Sequence, residues 1–152
     1  MAIVSRTIPL PPSTIFDALV DPTTYPHWLV GARDIRSVDD RWPEPGTAFH
    51  HRVGLIGPLK VADLSKVIEV DPPLLLSLEV RARPLGRGRA TFSLRELAGA
   101  PGRTEVTLDE VPLGALAPLR PVLDPITAHR NRRSLAQLED LLLSGESHRA
   151  PG

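Results

Sequence analysis

His51, Glu110 and Arg130 are the side chains of this 152-residue sequence whose types and neighbours could do chemistry together. A histidine titrates near neutral pH, so His51 could hydrogen-bond a ligand oxygen or move a proton. A carboxylate and a guanidinium turned into one interior pair naturally, so Glu110 and Arg130 are expected side by side. Such a pair could steady a carbonyl, an enolate or a carboxylate. Its commoner use is structural, closing one element onto another. His51 carries a competing reading of the same kind, a histidine satisfied by neighbouring backbone or carboxylate.

All three depend on pointing inward. His51 alternates with Phe49 and Val53, which puts it on the apolar side of a strand. Glu110 shares parity with Val106 and Leu108, and Arg130 falls between Ile126 and Leu138 on an expected helical stripe. A ligand in that interior would meet Phe49, Val53 and Phe92 from the strands and Ile126 from the helix. Trp28 is expected at the end of a short helix over the mouth, with Leu116 opposite it. Asn131 reads as a candidate ligand contact, and more readily as a core amide bonded to a strand backbone. Asp63 shares a face with Val61, Ser65 and Val67, while Ala62, Leu64 and Ile68 share the other with Lys66. Parity leaves the inward face of that strand open, and Asp63 is a candidate ligand contact on one of the two faces.

Several chemistries are excluded. His50 and His51 point to opposite faces of a strand and cannot chelate one ion, and no other His or carboxylate cluster has ligand spacing, so no metal is expected. Gly86-Arg-Gly88 reads as a hairpin turn with no helix after it, so it is no phosphate loop. No cofactor is expected. The 18 basic and 18 acidic residues cancel, which argues against a nucleic-acid partner and against a general attraction to anionic membranes. The chain has no cysteine and no apolar run of about 18 residues, so no membrane span is expected and the cytoplasm is the default location.

The elements that must position these residues follow from periodicity and proline. Ala2 to Ile8 is β-branched and short, a first strand. Pro11-Pro12 can open a helix carrying Ile15, Phe16 and Leu19, because a proline at the first helical position loses no hydrogen bond. Asp21-Pro22 restarts the chain into a second short helix, to about Leu29. From Ile35 to about residue 110 the apolar residues alternate. The segments carrying Phe49, Val61, Leu76, Phe92 and Val106 are joined by short turns, so they form antiparallel neighbours with one dry face. Pro112 to Pro118 reads as an irregular apolar linker. A long helix should run from Pro121 to about Leu143 with Leu123, Ile126, Leu135, Leu138, Leu141 and Leu142 on one stripe. Gly145 is expected to stop it and residues 146–152 to fray.

The order strand, two short helices, six strands, long terminal helix is that of the helix-grip fold. The residues Pro11-Pro-Ser-Thr-Ile-Phe-Asp-Ala-Leu-Val-Asp-Pro-Thr-Thr-Tyr-Pro-His-Trp28 resemble the opening of START-like (SRPBCC) proteins, and of the bacterial polyketide cyclase/dehydrase type in particular. Val67-Ile-Glu-Val-Asp-Pro-Pro73 resembles their middle hairpin, and Arg130-Asn131-Arg132 a basic segment of their last helix. The resemblance implies a single α+β domain over residues 1–145: a seven-stranded curved antiparallel sheet wrapped around a long C-terminal helix. It implies an internal pocket for a small hydrophobic molecule such as a polyketide, lipid or quinone. An aromatase/cyclase or dehydratase is the catalytic alternative, with His51, Glu110 and Arg130 as its residues.

Overall fold

The computed structural model describes the backbone of residues 2–29, 32–54, 60–82 and 86–149. The side chains at 32–36, 51–54, 60–63, 82, 86, 115–116 and 145–149 lie outside that description. The chain begins with strand β1 (Ala2–Ile8), followed by helix α1 (Pro12–Leu19) and helix α2 (Tyr25–Trp28). Six strands follow: β2 (Ala32–Val38), β3 (Ala48–Gly54), β4 (Lys60–Asp71), β5 (Leu75–Ala82), β6 (Gly86–Glu96) and β7 (Thr104–Leu113). A 3-10 segment, Gly114–Leu119, leads into helix α3 (Arg120–Arg149).

All seven strands form one antiparallel sheet in the order β1-β7-β6-β5-β4-β3-β2. Six sequential strands make a meander, and the first strand closes onto the last. The open curved sheet and the long terminal helix make the α+β helix-grip fold that the element order implies. The alternation of buried and exposed residues explains the grip. Leu76, Leu78, Phe92, Leu94, Val106 and Leu108 are buried, while the opposite face carries Arg95 paired with Glu105 at 3.0 Å, and Glu79 with Arg87 at 3.0 Å. Apolar side chains on the concave face leave water only if another element covers them, and α3 does so, packing against β1, β7 and α2.

The helix starts follow the proline pattern. Pro12 opens α1 with Pro11 in extended conformation before it. The Asp21 carboxylate accepts the Thr23 N–H at 3.0 Å, capping the 3-10 turn Pro22–Thr24 that leads into α2. Three expectations are corrected. Gly86-Arg-Gly88 belongs to β6, where Gly88 pairs with Val80 and Pro112. A Cβ on Gly88 would lie 3.1 Å from the Val111 carbonyl oxygen, so the glycine serves a close strand approach. The Pro112–Pro118 linker is ordered instead: β7 continues to Leu113, and Gly114, at φ +61°, turns the chain into the 3-10 segment. Finally, α3 runs through Gly145 to Arg149; a glycine inside a helix costs only about 1 kcal/mol against alanine and does not by itself stop it.

Candidate functional site

Between β7 and α3 the structure joins two of the three residues singled out for chemistry. The Glu110 carboxylate accepts a hydrogen bond from the Arg130 guanidinium through Nη2. Asn131 completes the group: its amide nitrogen donates to Glu110 at 3.4 Å, and its oxygen accepts from Arg130 Nε at 3.4 Å. Asn131 is fully buried, whereas the Glu110 and Arg130 side chains keep 27% and 42% exposure. A polar cluster thus reaches from a dry interior toward solvent. The amide bonds a strand side chain, not the strand backbone expected for it.

Register and helix phase explain the meeting. Glu110 lies on the inward face of β7, two residues beyond buried Leu108. Its partners across the ladders are Ala2 and Ala90, both buried. Two alanines lower the floor of the sheet beside the carboxylate, so α3 can bring polar side chains down onto it. On α3, Asn131, Ser134, Leu135 and Leu138 are buried. Arg130 stands eight residues before Leu138, about 80° around the helix from it. At that angle it sits on the rim, and its long stem brings the guanidinium back over Glu110.

The helical stripe is therefore corrected in phase. Ile126 stands twelve residues before Leu138, which is three turns plus about 120°, and it is 65% exposed. It does not join the inner face. Leu123, Leu141 and Leu142 are half-buried.

The aromatic candidates gather in one cluster. Trp28 is fully buried at the end of α2. It packs edge-on against Tyr25, with ring centroids 5.0 Å apart, and against Phe92 at 6.0 Å. Its indole N–H donates to the Thr24 hydroxyl at 3.0 Å. Phe49 touches Tyr25 at 5.1 Å and Trp42 at 4.9 Å. Trp42 donates its indole N–H to the Val20 carbonyl at 2.6 Å and so ties the β2–β3 connection to α1. Tyr25 donates to the Leu19 carbonyl. Burial, helped by the negative charge of Asp21, pushes the Tyr25 hydroxyl well above its ordinary value. Every N–H and O–H named here has an acceptor, as buried aromatic handles require.

His51, Val53, Asp63 and Leu116 lie outside the described side chains. Their backbone places two of them together, because His51 on β3 and Asp63 on β4 are register partners. The same ladder pairs Phe49 with Ser65. Ser65 and Val67 are buried while Lys66 and Ile68 are exposed. The inward side of β4, which parity left open, is thus the one that carries Ser65. Buried Ser65 and Ser134 were missed in the sequence; small hydroxyls occur on both faces of strands and helices, and only their neighbours' burial singles them out. Among the described residues no group of three or more His, Asp or Glu could hold a metal ion, and no helix is long and apolar enough to cross a membrane.

Solved structures share this architecture. A Nitrosomonas europaea protein superimposes with a TM-score of 0.72 at 20% identity, over 95% of this chain and 95% of its own. A Rhodobacter sphaeroides protein gives 0.74 at 18% identity over 93% of this chain and 91% of its own. The protein Ara h 8.0201 gives 0.69 at 18% over 93% and 96%. At such identities these likenesses show the fold alone. No curated protein sequence matches the chain. The family model for polyketide cyclase / dehydrase and lipid transport matches residues 2–142, and the chain belongs to that family.

Proposed function

We propose that this protein binds a small, mostly apolar metabolite between the concave sheet and α3, and that Arg130 holds the ligand's polar end. A polyketide, lipid or quinone-like molecule fits that description. The observation that carries the reading is the Glu110–Arg130–Asn131 cluster. Its inner edge is dry and its outer edge open, and a guanidinium has five N–H donors. Glu110 and Asn131 engage two of them. The rest can receive a carbonyl or carboxylate oxygen. Membership of a family described by cyclase, dehydrase and lipid-transport activities supports ligand binding in general.

A second reading, an aromatase/cyclase or dehydratase, rests on the register that sets His51 opposite Asp63. A histidine with a carboxylate partner can hold or pass a proton. There, His51 would move protons on a polyketide-like substrate while Arg130 steadied the enolate.

Native mass spectrometry of the purified chain tests binding directly. The expected result is an added mass of a small molecule that is lost on denaturation, and that Arg130→Gln retains less well. A chain that carries no adduct, and whose melting temperature no apolar carbonyl compound raises, would remove the proposal. The catalytic reading adds a demand: His51→Ala must abolish turnover while ligand affinity and melting temperature stay near those of the parent.

A further inference from the structure

The start of α3 presents an apolar surface that the fold does not use. Leu119, Val122 and Ile126 are 49%, 66% and 65% exposed. At positions i, i+3 and i+7 they fall within about 60° of one another on the helix surface. Pro118, Pro121 and Pro125 beside them are exposed as well. This stripe lies roughly opposite Asn131, the buried residue that faces the sheet, so ligand binding between sheet and helix would not cover it.

The charges around the stripe indicate what does. From Gly114 to Arg133 the chain carries four arginines, Arg120, Arg130, Arg132 and Arg133, against one carboxylate, Asp124. Arg120 lies 3.9 Å from Asp124, and Arg130 is paired with Glu110. Arg132 and Arg133 are exposed, and no ion pair among the described residues engages them. Arg133 continues the stripe one turn pair beyond Ile126, with exposed His129 between them. A protein of zero net charge thus has a local basic excess where its apolar side chains are bare. An apolar stripe rimmed by arginine is the pattern of a helix that lies in a lipid headgroup layer.

A second copy of the chain fits less well. A stable dimer hides roughly 800 Å² per partner, and a handful of partly exposed side chains offers only a few hundred Å². It would also leave Arg132 and Arg133 without counter-charge. A lipid surface needs no such area, because many weak contacts and the surface potential act together.

We propose that this face of the 3-10 segment and α3 docks the protein reversibly on an anionic membrane. Leu119, Val122 and Ile126 enter the interface, and Arg132 and Arg133 meet the phosphates. The inference goes beyond the ligand reading and does not depend on which molecule the interior holds.

Vesicle co-sedimentation of the full chain at low salt tests it. The chain should pellet with vesicles of equal parts phosphatidylcholine and phosphatidylglycerol, and at least about tenfold less with phosphatidylcholine alone. Arg132→Gln/Arg133→Gln should weaken partitioning roughly 25-fold, the product of about fivefold per positive charge. Val122→Asp/Ile126→Asp should abolish pelleting with an unchanged melting temperature, since both sites are exposed and an acid near a helix start is tolerated. Failure to pellet with anionic vesicles would overturn the proposal, as would pelleting indifferent to both double variants. Sedimentation velocity that finds a dimer, split by Val122→Asp/Ile126→Asp, would overturn it too and assign the face to a second copy.

Discussion

The two halves of α3 are written in the same alphabet and held in opposite ways. In the half that follows Arg130, Asn131, Ser134, Leu135 and Leu138 are buried against the sheet and α2. In the half that precedes it, Val122 and Ile126 are exposed, as is Leu119 just before the helix. The difference is one of phase, not of hydrophobicity. Helix stability in a protein comes mainly from packing an amphipathic face, so the packed half should carry nearly all the energy. Leu138→Ala is expected to lower the unfolding free energy by about 2–5 kcal/mol, and Ile126→Ala by less than about 0.5 kcal/mol. Urea denaturation of the two variants measures this directly. Comparable losses would mean that the early half is gripped as firmly as the late half.

Within the packed half, Asn131 sharpens the contrast between apolar and polar grip. Asn131→Ala removes the amide from a fully buried place and leaves the inner edge of Glu110 with one partner fewer. Losing a buried hydrogen-bond partner costs about 1–3 kcal/mol. Both bonds of Asn131 measure 3.4 Å, which places the expected loss at the lower end of that range. A loss as large as that of Leu138→Ala would make the amide, and not the leucines, the centre of the grip.

Much of this was legible from local rules. Proline placement marked both helix starts, because Pro12 and Pro22 occupy positions where a missing N–H costs nothing. Strict alternation located the strands, and parity on one strand with a charge on the helix stripe brought Glu110 to Arg130. What local rules could not supply was phase over distance. Leu123, Ile126 and Leu135 look like one stripe when read as spacings of three and four. Over the twelve residues from Ile126 to Leu138 the 100° steps leave about 120° uncorrected. The inward face of β4 was hidden for a related reason, since Asp63 and Ser65 alternate with Leu64 and Ile68 and both faces look mixed. Only pairing with Phe49 on β3 decides it. Gly86 and Gly88 misled because a glycine that relieves a close strand approach looks like one that makes a turn.

Tyr25 extends the comparison to α2, which packs on α3. Tyr25→Phe removes the bond to the Leu19 carbonyl at an expected cost of about 1 kcal/mol near neutral pH. Its pH dependence has a definite sign. Burial first, and the Asp21 charge second, raise the folded-state value above the ordinary one. The stabilisation of the neutral phenol is therefore fully present below about pH 10, the ordinary value, and is lost as pH rises above it. The parent should lose stability on the alkaline side by a component that Tyr25→Phe lacks. Tyr25 is the sole tyrosine, so tyrosinate absorbance reports on it alone. Ionisation at the ordinary pH, with the fold intact, would show that α2 does not seal this end.

Only a small stability change is expected at the ion pair that Arg130, on the border between the halves, makes with Glu110. Glu110 and Arg130 are both partly open to water, so solvent screening limits what their pairing contributes, and Glu110→Gln should cost less than about 1 kcal/mol. The two readings of the pair then separate in ligand binding. If it only clamps α3 to β7, Arg130→Gln and Glu110→Gln remove the same contact, and any effect on a ligand should be equal and small. If Arg130 is an anchor, its loss should weaken binding tenfold or more, about 1.4 kcal/mol. Glu110→Gln would then release the guanidinium from a competing carboxylate and leave affinity equal or improved. Titrating the ligand found by native mass spectrometry against both variants makes the decision. Opposite movements of affinity at nearly constant stability are the signature of an anchor, because a clamp has no means of telling its two ends apart.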